Sequence, residues 1–260
     1  MNTALNTLIT QTLEAQKGHT GFYFKDLISG EEFGIRQEEE FLAASVIKFP
    51  IFACIAKWEA EGKVSWDEVI RVTEEDKVPI CGALTLFSGT VDADIRTLCK
   101  LMISISDNCA TNLLIKRFGI PAYMEEFQRI GLKKTALNRL LFDADASSRG
   151  IENYIVPSEM GMLLEQVSRR QFVSEETSAF IEEVLLLQQI NHKVCGYLPD
   201  EAEISVAHKT GEDWKLSNDV AIVFAKNPFI VCFAGHDTDV PEWETAIRRI
   251  SAALAAEYNA

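Results

Sequence analysis

The sequence predicts an α+β fold, an antiparallel sheet of about five strands flanked by terminal helices, with a mostly helical lobe beside it. Three observations predict it. Residues 20–28 and 32–36 alternate apolar and polar, and runs rich in Val, Ile, Ala and Phe recur at 203–211, 218–226 and 229–235. From 94 to 190 the apolar period is helical instead. Helical patterns also stand at both ends of the chain.

Taken in order, Leu5, Leu8, Ile9 and Leu13 recur at helical spacing and mark a first helix. A Ser29-Gly30 turn joins the two early strands into a hairpin. From about 43 to 61 the pattern is helical and stops at Gly62. Helical segments near 94–104, 108–118, 121–130, 157–169 and 174–189 follow, separated by Gly119-Ile120-Pro121, Gly131 and the stretch 138–156. Asn227-Pro228 turns the chain between the last two of three successive antiparallel strands, and an amphipathic helix over 241–257 closes it. The expected organisation is a single catalytic domain. Its α/β lobe comprises 1–62 and 200–260, its helical lobe 63–199, and the two share a groove of the kind in which ligands bind. No internal repeat is present.

Composition excludes several classes. The chain has 260 residues, 47% of them hydrophobic and 25% charged, the balance of a globular protein. A formal net charge of -14 argues against a nucleic-acid partner, because phosphate backbones are bound by clustered cations. The acidic run at 38–40 reads as a solvated turn. No apolar stretch approaches the roughly 20 residues that span a bilayer, so no membrane partner is expected. The first residues lack a basic start and a continuous apolar block, which gives a cytoplasmic expectation. The six cysteines show neither CxxC spacing nor a Cys/His cluster, so reduced thiols are expected, with no metal and no cofactor. The expected partner is a small-molecule substrate, and the expected state a monomer.

Three short motifs carry chemistry. In AASVIKFPIFACIAKW, residues 43–58, Ser45 and Lys48 stand three apart. On a helix they share a face, so the amine reaches the hydroxyl. Serine needs such a base to become a nucleophile. Lysine can serve if burial or nearby cations favour its neutral form, or it can stay charged and stabilise the alkoxide. The apolar Phe49, Pro50, Ile51 and Phe52 around it would make a lysine without purpose costly. Next, Ser106-Asp107-Asn108 joins two helical runs. These are good N-cap residues, and they also offer Ser106 as a proton shuttle and Asn108 as a partner for a substrate amide and for Lys48. Last, Lys209-Thr210-Gly211 ends a strand, where glycine lets a ligand lie close and the lysine and threonine can hold a carboxylate. The four histidines offer no Ser-His-Asp alternative. His208, by strand alternation, faces away from Lys209.

SxxK, SDN and KTG in this chain order form the set found in class A β-lactamases and penicillin-binding proteins. The resemblance extends to ASVIKFPI, LMISISDNCATNLLI and HKTGEDW and covers roughly residues 20–257. It implies that Ser45 is the acylated nucleophile and Lys48 its base or proton relay. Ser106 and Lys209 would then handle the leaving-group proton and the substrate carboxylate, with Asn108 and Thr210 orienting the substrate. Backbone N–H groups of Ser45 and of Glu212, which follows Gly211, would form the oxyanion hole. Trp214 would sit at the groove rim, a packed loop position being its alternative; CGALTLF, residues 81–87, reads equally as a lip over the groove or as an ordinary packed loop.

One departure concerns deacylation. Class A β-lactamases usually carry E-x-x-L-N in a loop between the helical lobe and the returning strands, and its glutamate activates water. The corresponding region, 137–157, lacks that motif. Asp145 is the first candidate base there and Asp143 the second, while Arg139 and Glu152 suit an ion pair clamping the loop ends. The expected activity is β-lactam hydrolysis through an acyl-serine. The alternatives are a DD-peptidase, esterase or amidase on the same scaffold, or a slowly deacylating penicillin-binding or sensor protein.

Overall fold

A computed structural model describes residues 2–260. The chain opens with α1 (Thr3–Glu14), capped by the Asn2 side chain, which accepts from the Leu5 amide. Strands β1 (His19–Asp26) and β2 (Glu32–Ile35) form the first hairpin. The short β3 (Phe41–Leu42) leads through a 3-10 turn at Ala44–Ile47 into α2 (Lys48–Ala60). The hairpin β4 (Val69–Val72) with β5 (Val91–Asp94) precedes α3 (Ile95–Ser104), α4 (Asn108–Phe118) and α5 (Ile120–Arg129). Then come α6 (Ala144–Ser148), β6 (Tyr154–Ile155), α7 (Pro157–Ser168) and α8 (Glu175–Leu186). Strands β7 (Ser205–Asp213), β8 (Leu216–Phe224) and β9 (Phe229–His236) return to the sheet, and α9 (Val240–Tyr258) ends the molecule.

The five-stranded sheet has the order β2-β1-β9-β8-β7, with every neighbouring pair antiparallel. The expected α+β class and the five strands are therefore present. Both faces of the sheet are covered, and the residues of β9 show how. Phe229, Val231 and Phe233 pack with α1 and α9, while Ile230, Cys232 and Ala234 pack into the larger core beneath the helices. This is the two-residue period of a strand used on both sides. Helix α2, buried along nearly all of its length, packs against α3, α5 and α8 rather than lying on the surface.

Two local features differ from the sequence expectation. Ser45 lies on a 3-10 turn, with α2 beginning only at Lys48. A 3-10 turn places i and i+3 directly above one another, which brings the two side chains onto one line. The third sheet strand also runs on to Asp213, so Lys209-Thr210-Gly211 lies inside β7 and not at its end. All six cysteines are free thiols. Among the described residues no helix is long and apolar enough to cross a membrane.

Candidate active site

The 3-10 turn is held from three sides. Ala43 donates its amide to Asn153 O at 2.9 Å, on the segment entering β6. Asn218 of β8 reaches across with its Nδ2 to Leu42 O (2.9 Å) and Ala43 O (3.2 Å). On the third side lies β7: a Cβ at Gly211 would come within 3.0 Å of Ala43 O and 3.1 Å of Val46 N. Glycine is required there because strand backbone lies against turn backbone. Ala44, next to Ser45, has φ +41, a left-handed conformation that costs an L-residue energy and persists where surrounding contacts impose it.

Lys48 is fully buried, and its amine has three acceptors. Nζ donates to Ser106 O (2.8 Å), Ser106 Oγ (2.9 Å) and Asn108 Oδ1 (2.7 Å). Burial, reinforced by the neighbouring charge of Lys209, holds this amine well below the ordinary lysine range. Lys209 is equally buried and donates to Thr210 O (2.9 Å) and Ser106 Oγ (3.3 Å). Burial and the charge of Lys193 bring it down to about 7. Ser106 Oγ thus stands between two amines that each exchange a proton more readily than a free lysine. Ser106 is itself in the left-handed region, at φ +57.

Asp107 and Asn108 fasten the lip. Asp107 caps α4 by accepting from the Ala110 amide, and its other oxygen accepts from the amides of Ala83 and Leu84 at 2.7 and 2.9 Å. Asn108 Nδ2 donates to Ile80 O at 2.6 Å. Residues 80–87 therefore fold onto the SDN segment, with Ile80, Leu86 and Phe87 exposed. Trp214, beyond the end of β7, is 85% exposed and so is not packed in a loop.

The structure brings Lys48, Ser106, Asn108 and Lys209 into one hydrogen-bonded cluster, with Ser45 one 3-10 turn before Lys48 and Gly211 against that same turn. Thr210 is buried beside Lys209. The carboxylate of Glu212 turns elsewhere, to Lys193 Nζ at 3.1 Å. Only its backbone amide remains for an oxyanion role, and β7 is an edge strand whose alternate N–H groups face away from β8.

The loop carboxylates are placed differently from the expectation. Asp145 is exposed in the first turn of α6, and among the described residues no hydrogen bond or ion pair ties it to the cluster. Asp143 caps α6, accepting from the Ala146 amide at 2.9 Å. The helical geometry of 144–148 sets both directions. The loop is tied to α4 at Leu141, whose backbone is gripped on both sides by Asn112: N–H to Oδ1 and O to Nδ2, each at 2.9 Å. The expected Arg139–Glu152 pair does close the loop, with Arg139 Nε 2.9 Å from Glu152 Oε2.

Two residues that hold the site's backbone in place escaped the sequence reading. Lys193, fully buried, donates to Gly211 O (3.0 Å) and Asn218 O (3.1 Å) behind the KTG segment. A lysine in an unpatterned loop carries no local sign of such burial. Asn218 was read only as part of a strand, yet it pins the serine turn and also accepts from the Gly235 amide at 2.9 Å. His208 is a core residue bonded to Asp219 Oδ1 at 3.0 Å.

Comparison with known proteins follows the same direction. A family model described as the beta-lactamase enzyme family matches residues 2–258. A beta-lactamase of Rhodobacter capsulatus is 30% identical over 140 residues, 53% of this chain and 47% of that protein. The chain thus spans about half the length of the curated relatives it matches first. A beta-lactamase structure from Sphaerobacter thermophilus DSM 20745 superposes with a TM-score of 0.89 at 25% identity, covering 98% of both chains. A mutant of PBP-A, solved as an acyl-enzyme complex with penicillin G, superposes at 0.88 with 25% identity, over 98% of this chain and 96% of that one.

Proposed function

Because this chain belongs to the beta-lactamase enzyme family, we propose that it is a serine hydrolase that opens a β-lactam or related amide through an acyl-Ser45 intermediate. The observation that carries this reading is the buried Lys48 amine, one turn from Ser45 and bonded to Ser106 and Asn108. Lys48 in its neutral form accepts the Ser45 proton as Oγ attacks the carbonyl carbon. The C–N bond then breaks, and Ser106 Oγ–H supplies the proton that the departing nitrogen takes, replenished from the adjoining amines. Lys209 and Thr210 hold a substrate carboxylate. The amides of Ser45 and Glu212 stabilise the oxyanion, a contribution of about 2.7–4 kcal/mol per donor. Hydrolysis ends when water attacks the ester and returns the proton to Ser45. A small-molecule substrate suits this chemistry, and the net charge of -14 weighs against nucleic acid.

A second reading is favoured by one observation, the exposure of Asp145 with Asp143 spent on a helix cap. In that reading acylation proceeds and deacylation is slow, because a general base must be within hydrogen-bond reach of its water. Asp145 serves as that base only if α6 moves inward.

The test mixes the protein with a chromogenic cephalosporin and a fluorescent penicillin and follows intact mass. The expected result is an adduct of one penicilloyl unit that is absent in Ser45→Ala. Its lifetime decides between the two readings: seconds or less for a lactamase, far longer for a penicillin-binding species. Neither adduct nor turnover, with hydrolysis of a simple ester retained, would move the assignment to an esterase or amidase.

A further inference from the structure

We propose that His192, Glu212 and Glu244 form a binding site for one divalent transition-metal ion of the zinc class, at the end of β7. The three residues come from separate elements: the loop after α8, the end of β7 and the first turns of α9. One ligand atom from each lies within 4.8 Å of the others. His192 Nε2 stands 3.4 Å from Glu212 Oε1 and 3.5 Å from Glu244 Oε1. A tetrahedral ion with nitrogen and oxygen ligands at about 2.0–2.2 Å holds those ligands about 3.3–3.6 Å apart. The two separations from His192 already match, and the two carboxylates lie within 4.8 Å of one another, so closing the site needs only a small carboxylate rotation. One imidazole and two carboxylates suit zinc and leave a fourth position for water.

The surroundings aim these donors. Ser217 Oγ donates to Glu244 Oε1 at 2.9 Å, and Arg248 Nη1 donates to the His192 carbonyl at 3.0 Å. A hydrogen bond to a ligating carboxylate, as from Ser217, orients it and sharpens affinity, while the Arg248 contact steadies the backbone that carries His192. Two cations compete for the carboxylates: Lys193 Nζ at 3.1 Å from Glu212 Oε1 and Arg248 Nη1 at 3.7 Å from Glu244 Oε2. Each has other acceptors. Lys193 keeps Gly211 O and Asn218 O, and Arg248 keeps His192 O and Thr245 Oγ1. Releasing the carboxylates to a metal therefore leaves both cations hydrogen-bonded. His192 and Glu212 are about half exposed, at 48% and 49%, which leaves the ion an open approach. A bound ion ties the end of β7 to α9 and to the preceding loop, whether or not Ser45 is acylated.

Titration of the full chain with zinc chloride by calorimetry, and with cobalt chloride by visible absorption, tests this. The expected result is one equivalent bound, with cobalt bands of tetrahedral intensity. His192→Ala and Glu244→Gln should each weaken binding by about tenfold or more, with circular dichroism showing both variants folded. Cys81→Ser with Cys195→Ser should leave binding intact, since these thiols are the other accessible soft ligands. Absence of saturable binding, binding that survives in both ligand variants, or binding lost with the thiols would each overturn the proposal.

Discussion

A lysine buried without a counter-charge is costly unless it sheds its proton or fills its donor positions. Lys48 meets both conditions in turn: its ammonium form has three acceptors at 2.7–2.9 Å, and burial lowers its proton affinity and so favours the neutral form. In the proposed function Lys209 has the opposite task, because its charge would meet a substrate carboxylate. Its value of about 7 places the loss of that charge in the neutral range. The acylation efficiency of the free protein should therefore fall as pH rises through about 7, where Lys209 loses its proton. It should also fall at lower pH, where Lys48 is protonated and cannot act as base. Lys209→Arg keeps a permanent cation, so the alkaline limb should move out of the neutral range in that variant. Rates of Ser45 adduct formation against pH measure this, and an unmoved limb would remove Lys209 from the carboxylate role.

Among the elements, the 3-10 turn and β7 are coupled through Gly211. Gly211→Ala places a Cβ against Ala43 O and Val46 at 3.0–3.1 Å, so strand and turn must separate by a few tenths of an ångström. Misplacement near an ångström costs about 100-fold in rate. A loss approaching that size in acylation is expected, with a folded protein by circular dichroism; an unchanged rate would mean that the turn tolerates displacement. The loop over 137–157 makes a different case. Its helix α6 is short, capped by Asp143, and turns Asp145 outward. Asp145→Asn should accordingly leave the lifetime of the acyl-enzyme unchanged, followed by mass spectrometry after excess penicillin is removed. A severalfold longer lifetime in the variant would instead identify Asp145 as the water-activating base.

At the scale of the whole molecule, the sheet works as a platform covered on both faces, and the outer cover is α1 with α9. Trp243 of α9 is fully buried and donates its Nε1–H to Ser217 O at 2.7 Å, next to Asn218. Trp243→Ala should lower stability by about 3–5 kcal/mol in denaturant unfolding, while the folded fraction retains acylation. Elements of this platform were legible in the sequence because strand and helix periods are local: Phe229, Val231 and Phe233 alternate with Ile230, Cys232 and Ala234 wherever the strand lies. The motif residues were legible for the same reason, as Ser45 and Lys48 share a face by spacing alone. Lys193, Asn218 and the orientation of Asp145 were not, since nothing within a few residues of them records what lies opposite. The sequence by itself determined the period of each element and the chemical kinds of group it carries. Only the tertiary structure decided which amine meets which hydroxyl, which charges lose their water, and which loop carboxylate turns away. Burial and proton affinity depend on neighbours brought together from distant parts of the chain, and local spacing contains no term for them.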